Sequence, residues 1–135
     1  HELGHYKHHH IRVGIIISII STFLGLYITS QCYSWSLNVF GFSSITDLAA
    51  LPLLALWLSI FGLVTSPLGN LISRHHERQA DAYAIQATEK REAFISALQK
   101  LASMNLADPE PHPFLVLLFY SHPPIGKRIR MVESL

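Results

Sequence analysis

Two apolar runs leave this chain few ways to fold. Val13–Ile28 reads VGIIISIISTFLGLYI and Leu48–Thr65 reads LAALPLLALWLSIFGLVT, neither with a charged side chain. Extended to positions 11–31, the first run reaches the roughly 20 residues that cross a bilayer as a helix. The second, at 48–66, serves equally well. The stretch between them, 29–46, carries Tyr33, Trp35, Phe40 and Phe42 among Ser, Asn and Gly, a mixture suited to the headgroup interface. Together they predict a transmembrane helical hairpin. Pro52 falls in the first turns of the second span, where a helix tolerates it, and Pro67 just past its end.

Charge sets the orientation and excludes one class of partner. Only 14% of the 135 residues are charged, against roughly 25% in average soluble domains. The formal net charge of +1 leaves no basic stripe for nucleic acid. Lys7 and Arg12 precede the first span, Arg74 and Arg78 follow the second, and the connector has neither Lys nor Arg. The positive-inside rule then places both outer ends of the hairpin in the cytoplasm. An integral, multi-pass protein in a lipid bilayer is expected, with its polar flanks on the cytoplasmic side. The single Cys32 excludes an internal disulfide and a thiolate metal cluster.

The flanks carry the chemistry. His1-Glu2-Leu3-Gly4-His5 is an HExxH motif, which on a helix puts two imidazoles on one face for a single metal ion. The motif's helix is expected over 1–12, with His8-His9-His10 inside it. Glu2 lies one step round, where its carboxylate can act as general base toward a water held at the metal. A catalytic zinc site typically needs a third protein ligand. Glu77 is the candidate, on a helix beyond the returning span, with Asp81 one turn later on the same face. Asp81 would accept a hydrogen bond from a zinc-bound imidazole and fix its tautomer. His75 and His76 are rival donors, but only one of the three neighbours can face the metal. As an alternative, Glu77 and Asp81 could be surface carboxylates paired with Arg74 and Arg78. A chain that opens on a metal ligand, without an initiator Met, reads as a fragment whose N-terminal part is missing.

Beyond the third-ligand helix, Phe94, Ala97, Leu98, Leu101 and Met104 mark an amphipathic helix. Pro109, Pro111 and Pro113 make a loop. Phe114–Tyr120 is too short to span, so it should pack on the domain or lie at the interface. Ser121-His122-Pro123-Pro124 predicts a turn in which Ser121 caps the last helix. His122, held stiffly there, could donate to the oxyanion of a tetrahedral intermediate. Arg128 could bind a substrate carboxylate or make a structural ion pair.

HELGHYKHHHI, the two-span hairpin, HERQADAYA and SHPPIGKRI occur in the order and spacing of the integral-membrane zinc metallopeptidases. The chain resembles in particular the type I CAAX prenyl endopeptidases. Tyr6, Lys7 and His10 fit that family's pattern after HExxH, and Glu77, Gln79, Ala80 and Asp81 its E-x-Q-A-D signature. Ser121 to Pro124 match its S-H-P-P signature. The related heat-shock membrane endopeptidases share the three motifs with a different residue pattern after HExxH. The resemblance implies one zinc ion per chain held by His1, His5 and Glu77, with Glu2 catalytic and Asp81 behind a ligand. It also implies His122 as a substrate or transition-state contact. The expected fold is an all-α, mostly helical membrane protein: a zincin-like HExxH helix, the hairpin, the third-ligand helix and C-terminal helices over 68–135. The substrate would be a peptide or protein, prenylated in the CAAX case and unmodified in a broader quality-control protease. A third reading is a non-catalytic membrane protein that binds a partner, but a lapsed enzyme has no chemical need for Glu2.

Overall fold

The computed structural model describes residues 1–106 and 108–135. All regular structure among them is helical: α1 (Glu2–Lys7), α2 (His10–Phe40), a 3-10 turn (Leu48–Ala50), α3 (Leu51–Thr88), α4 (Arg91–Met104), α5 (Pro113–Phe119) and α6 (Ile125–Glu133). The chain divides into two compact units, Arg12–Thr65 and His1–Ile11 with Ser66–Leu135.

The unit Arg12–Thr65 is an antiparallel hairpin, its legs drawn from α2 and α3. Both helices are long and apolar enough to cross a membrane, and in the most apolar window of each only 6% is buried. Side chains such as Ile15, Ile16, Phe23, Leu63 and Val64 face outward. A soluble protein rarely exposes so continuous an apolar surface, whereas lipid solvates it without cost.

The helix that carries the expected first span, 11–31, runs on to Phe40. The cause is packing. Tyr33 and Leu37, one turn apart, bury against Ala50 with Phe42, Leu53, Leu54 and Trp57 around them. The Tyr33 hydroxyl donates to the Ile45 carbonyl at 3.3 Å, and Trp57 Nε1 donates to Ser36 Oγ at 3.3 Å. Tyr33 and Phe42 therefore close the hairpin, while Trp35 and Phe40 stay exposed. The Asp47 carboxylate accepts from the Ala49 N–H at 3.0 Å and starts the return leg.

No break follows Pro67; α3 continues through it to Thr88. Proline removes one backbone donor but holds φ near the helical value, so the helix survives the loss of one bond.

In the other unit, α1 is shorter than the expected 1–12. It ends at Lys7, and His9 adopts φ +55° before α2 begins at His10. A left-handed residue just after a helix is the usual way to stop one, and histidine adopts it more readily than most residues. α1 packs on α3 where Gly4 meets Ala80; a Cβ at Gly4 would lie 2.8 Å from Ala80 Cα and 3.1 Å from its carbonyl oxygen. α4 and α6 pack together, burying Leu98 and Val132. Of the expected α4 face, Leu98 is buried and Phe94 half-buried, whereas Leu101 and Met104 remain exposed.

α5 hangs on α3. Arg74 is buried and donates to the Val116 and Tyr120 carbonyls, and Asn70 Nδ2 donates to the Leu118 carbonyl at 2.7 Å. A cation at a helix C-terminus meets carbonyls with no partner inside the helix, and the favourable end of its dipole. Ser121 does not cap α6 as expected. Pro123 and Pro124 delay the helix to Ile125, with Pro124 at the cap position, and Ser121 Oγ lies 2.9 Å from His122 Nδ1 instead.

Candidate metal centre

α1 and the polar end of α3 build this centre within one unit. His1 and His5 lie one turn apart, and their Nε2 atoms approach to 3.2 Å. The buried Glu77 spans the gap, with Oε2 3.5 Å from His1 Nε2 and Oε1 3.3 Å from His5 Nε2. One donor atom from each of the three lies within 4.8 Å of the others. Ligand atoms bonded to a tetrahedral zinc at about 2.0–2.1 Å are separated by about 3.3–3.4 Å; the two histidine nitrogens stand at that separation, and each faces a different oxygen of the Glu77 carboxylate. Two imidazole nitrogens and a carboxylate converging on one point leave a concentration of lone pairs that a cation would satisfy. The donor set fits a divalent ion.

Neither rival faces this point. His75 is exposed, and the His76 ring stacks on His10 with centroids 4.0 Å apart. Arg74 does not pair with Glu77, because it is committed to the carbonyls of α5.

Asp81 lies behind His1. It is fully buried, with Oδ1 2.8 Å from His1 Nδ1, although the approach is off the line of the N–H bond. A proton at Nδ1, on the side of the Asp81 carboxylate, would leave the His1 Nε2 lone pair free to face the other donors. Arg128 forks onto the same carboxylate, Nε to Oδ2 and Nη2 to Oδ1, each at 2.7 Å. Burial alone would push the Asp81 carboxyl up, but the close contact with His1 and the hydrogen bonds from Arg128 more than offset it and hold the group below the ordinary value. The contact with Asp81 raises His1 above the usual imidazole range, against the opposing effect of burial. Of the two roles open to Arg128, the geometry is that of the structural ion pair.

Glu2 is exposed and makes no hydrogen bond or ion pair among the described residues. His122 reaches the centre from the turn after α5, its Nε2 3.6 Å from Glu77 Oε1 and its side chain 63% exposed. Arg74 and Asn70 hold that turn through α5, a role that the sequence pattern around Arg74 does not announce.

Gly4 is the second hidden requirement. An alanine there meets the Ala80 backbone, which cannot rotate away. Gly4→Ala should destabilise α1 docking by about 1–3 kcal/mol, as overpacking does elsewhere. Metal affinity should fall by roughly 5- to 100-fold if docking and binding are coupled, because each 1.4 kcal/mol is a factor of ten. Chelator competition on Gly4→Ala against wild type checks it.

The sequence pattern of peptidase family M48 matches residues 1–135. The chain is 37% identical over 139 residues to the uncharacterized metalloprotease YhfN of Bacillus subtilis (strain 168), covering 99% of this chain and 32% of that protein. It is 32% identical over 144 residues to the human CAAX prenyl protease 1 homolog, covering 100% of this chain and 29% of that protein. Against a Protease HtpX homolog of Streptococcus gordonii the identity is 27% over 155 residues, covering 100% and 52%. Among solved structures, S. mikatae Ste24p superposes with a TM-score of 0.79 at 28% identity, covering 98% of this chain and 35% of that one. The chain thus spans between about a third and half the length of these relatives. Matched from His1 to Leu135, and folded so that its HExxH histidines meet a glutamate of α3, this chain belongs to peptidase family M48, a family of metallopeptidases.

Proposed function

We propose that the protein is a zinc-dependent membrane endopeptidase, with His1, His5 and Glu77 as the ligands and Glu2 as the general base. The observation that carries the reading is the convergence of His1, His5 and Glu77, one donor atom from each lying within 4.8 Å of the others. Zinc, when bound, would polarise the scissile carbonyl and lower the pKa of a water at its open position. Glu2 takes the proton from the attacking water as the new C–O bond forms. It then delivers that proton to the amine as the C–N bond breaks. His122, exposed at the rim, donates from Nε2 to the oxyanion developing on the substrate carbonyl. Asp81 holds His1 in register, and Arg128 holds Asp81.

The motif residues Tyr6, Lys7 and His10, with the similarity to the human CAAX prenyl protease 1 homolog, favour the C-terminal tripeptide of a prenylated protein as substrate. The similarity to the Protease HtpX homolog supports a second reading, a protease that cuts membrane or hydrophobic peptides without a prenyl group. Both place the catalytic flank on the cytoplasmic side, as the distribution of Lys and Arg suggests.

One assay separates them. The full-length protein, loaded with zinc in detergent, is offered a farnesylated peptide and the same peptide unmodified. The CAAX reading expects at least a ten-fold preference in kcat/KM for the farnesylated one, about 1.4 kcal/mol of differential transition-state binding. Equal rates favour the broader protease. Absence of zinc from the purified protein, with no cleavage of either peptide, would sink both.

A further inference from the structure

We infer that His10 and Gln79 are positioning residues that set the tautomer of His5 and so aim its Nε2 lone pair at the metal. The inference rests on the zinc reading above and assigns roles to two residues outside it. His10 is buried, with Nε2 2.9 Å from Gln79 Oε1 and Nδ1 3.0 Å from His5 Nδ1.

The proton positions follow in order. An amide oxygen only accepts, so His10 carries its hydrogen on Nε2. A neutral imidazole has one N–H, so His10 Nδ1 must accept. His5 Nδ1 must then donate to it, which leaves His5 Nε2 bare, facing His1 Nε2 and Glu77. Asp81 imposes the same tautomer on His1 from the other side. Both histidines thus turn lone pairs to the same point.

The backbone is bent to allow this. In an unbroken helix His5 and His10 would lie about 140° apart around the axis. The left-handed turn at His9 removes that separation, and the stacked His76 ring holds the His10 plane. If the Gln79 amide were reversed, its N–H would donate to His10 Nε2 and every proton would shift. His5 would then carry a hydrogen on Nε2, pointing into the site. The relay has two registers, and only one offers the metal a lone pair.

Zinc affinity of the full chain in detergent, measured by chelator competition, tests this. Gln79→Leu and His10→Phe should weaken zinc by about 10–100-fold, the usual cost of losing a partner of a ligating histidine. Gln79→Glu can only accept and locks the competent register, so it should bind zinc at least as tightly as wild type. Wild-type affinity in Gln79→Leu, or an equal loss in Gln79→Leu and Gln79→Glu, overturns the relay. His5→Ala separates this from the metal reading. Undiminished binding in His5→Ala removes both, whereas loss there with none in Gln79→Leu removes the relay alone. A readout without variants comes from the zinc-loaded wild type with 15N-labelled histidine. His10 should be protonated on Nε2, with a scalar coupling across the hydrogen bond to His5 Nδ1. A proton on His10 Nδ1 overturns the assignment.

Discussion

Glu2→Gln is expected to abolish peptidase activity while leaving zinc content and helicity unchanged. Glutamine fills the same volume but cannot take a proton, so the loss should be about 10²–10⁴-fold in kcat, the range for a positioned general base. Structural disturbance should be small, because Glu2 is exposed and has no partner among the described residues to lose. Glu77→Gln is the contrasting variant. Glu77 is buried between both histidines, so its neutralisation should remove zinc and activity together. Metal analysis beside peptide cleavage tells the two carboxylates apart. Activity surviving in Glu2→Gln would leave the chain without its base.

Asp81→Ala should produce the largest loss of stability. It removes a fully buried carboxylate and strands the Arg128 guanidinium, only 11% exposed, without the partner it forks onto. Breaking a buried pair on one side typically costs about 3–5 kcal/mol. A second loss follows from position. Arg128 Nη1 already lies 3.9 Å from Glu77 Oε2, so a freed guanidinium would swing to that carboxylate and compete for it. The double variant Asp81→Leu with Arg128→Leu separates the effects. Replacing both members by apolar groups should recover much of the thermal stability. Zinc should still bind about 10–100-fold more weakly, since His1 Nδ1 has lost its acceptor. Full recovery of affinity would limit Asp81 to a structural role. Arg128→Lys should fail as a conservative change, because an ammonium cannot make the two parallel bonds.

Much of this was legible because it depends on spacing along one helix. HExxH places two imidazoles together by helical geometry alone, and Glu77 with Asp81 four residues later repeats the device on the second helix. The apolar runs marked the spans, since lipid leaves a chain little choice but helix. Element ends were less legible. Tyr33 and Leu37 extend α2 because they find Ala50 and Trp57, partners that lie beyond the local pattern. Ser121 looked like a cap, yet two prolines moved the helix start away from it.

By itself, then, the sequence determined the class of fold and the apolar hairpin from local periodicity, and it put Glu77 forward as a candidate donor beside His1 and His5 while leaving the rivals His75 and His76 open. Tertiary structure alone decided how those donors are held. Gly4 lets α1 touch the backbone of Ala80, and Arg74 turns to α5 instead of the acidic pair. Arg128 closes on Asp81, and the bend at His9 brings His10 to His5. Each of these contacts joins segments, or turns a helix, in a way no periodicity records. They follow from close packing and from the need of every buried polar group for a partner.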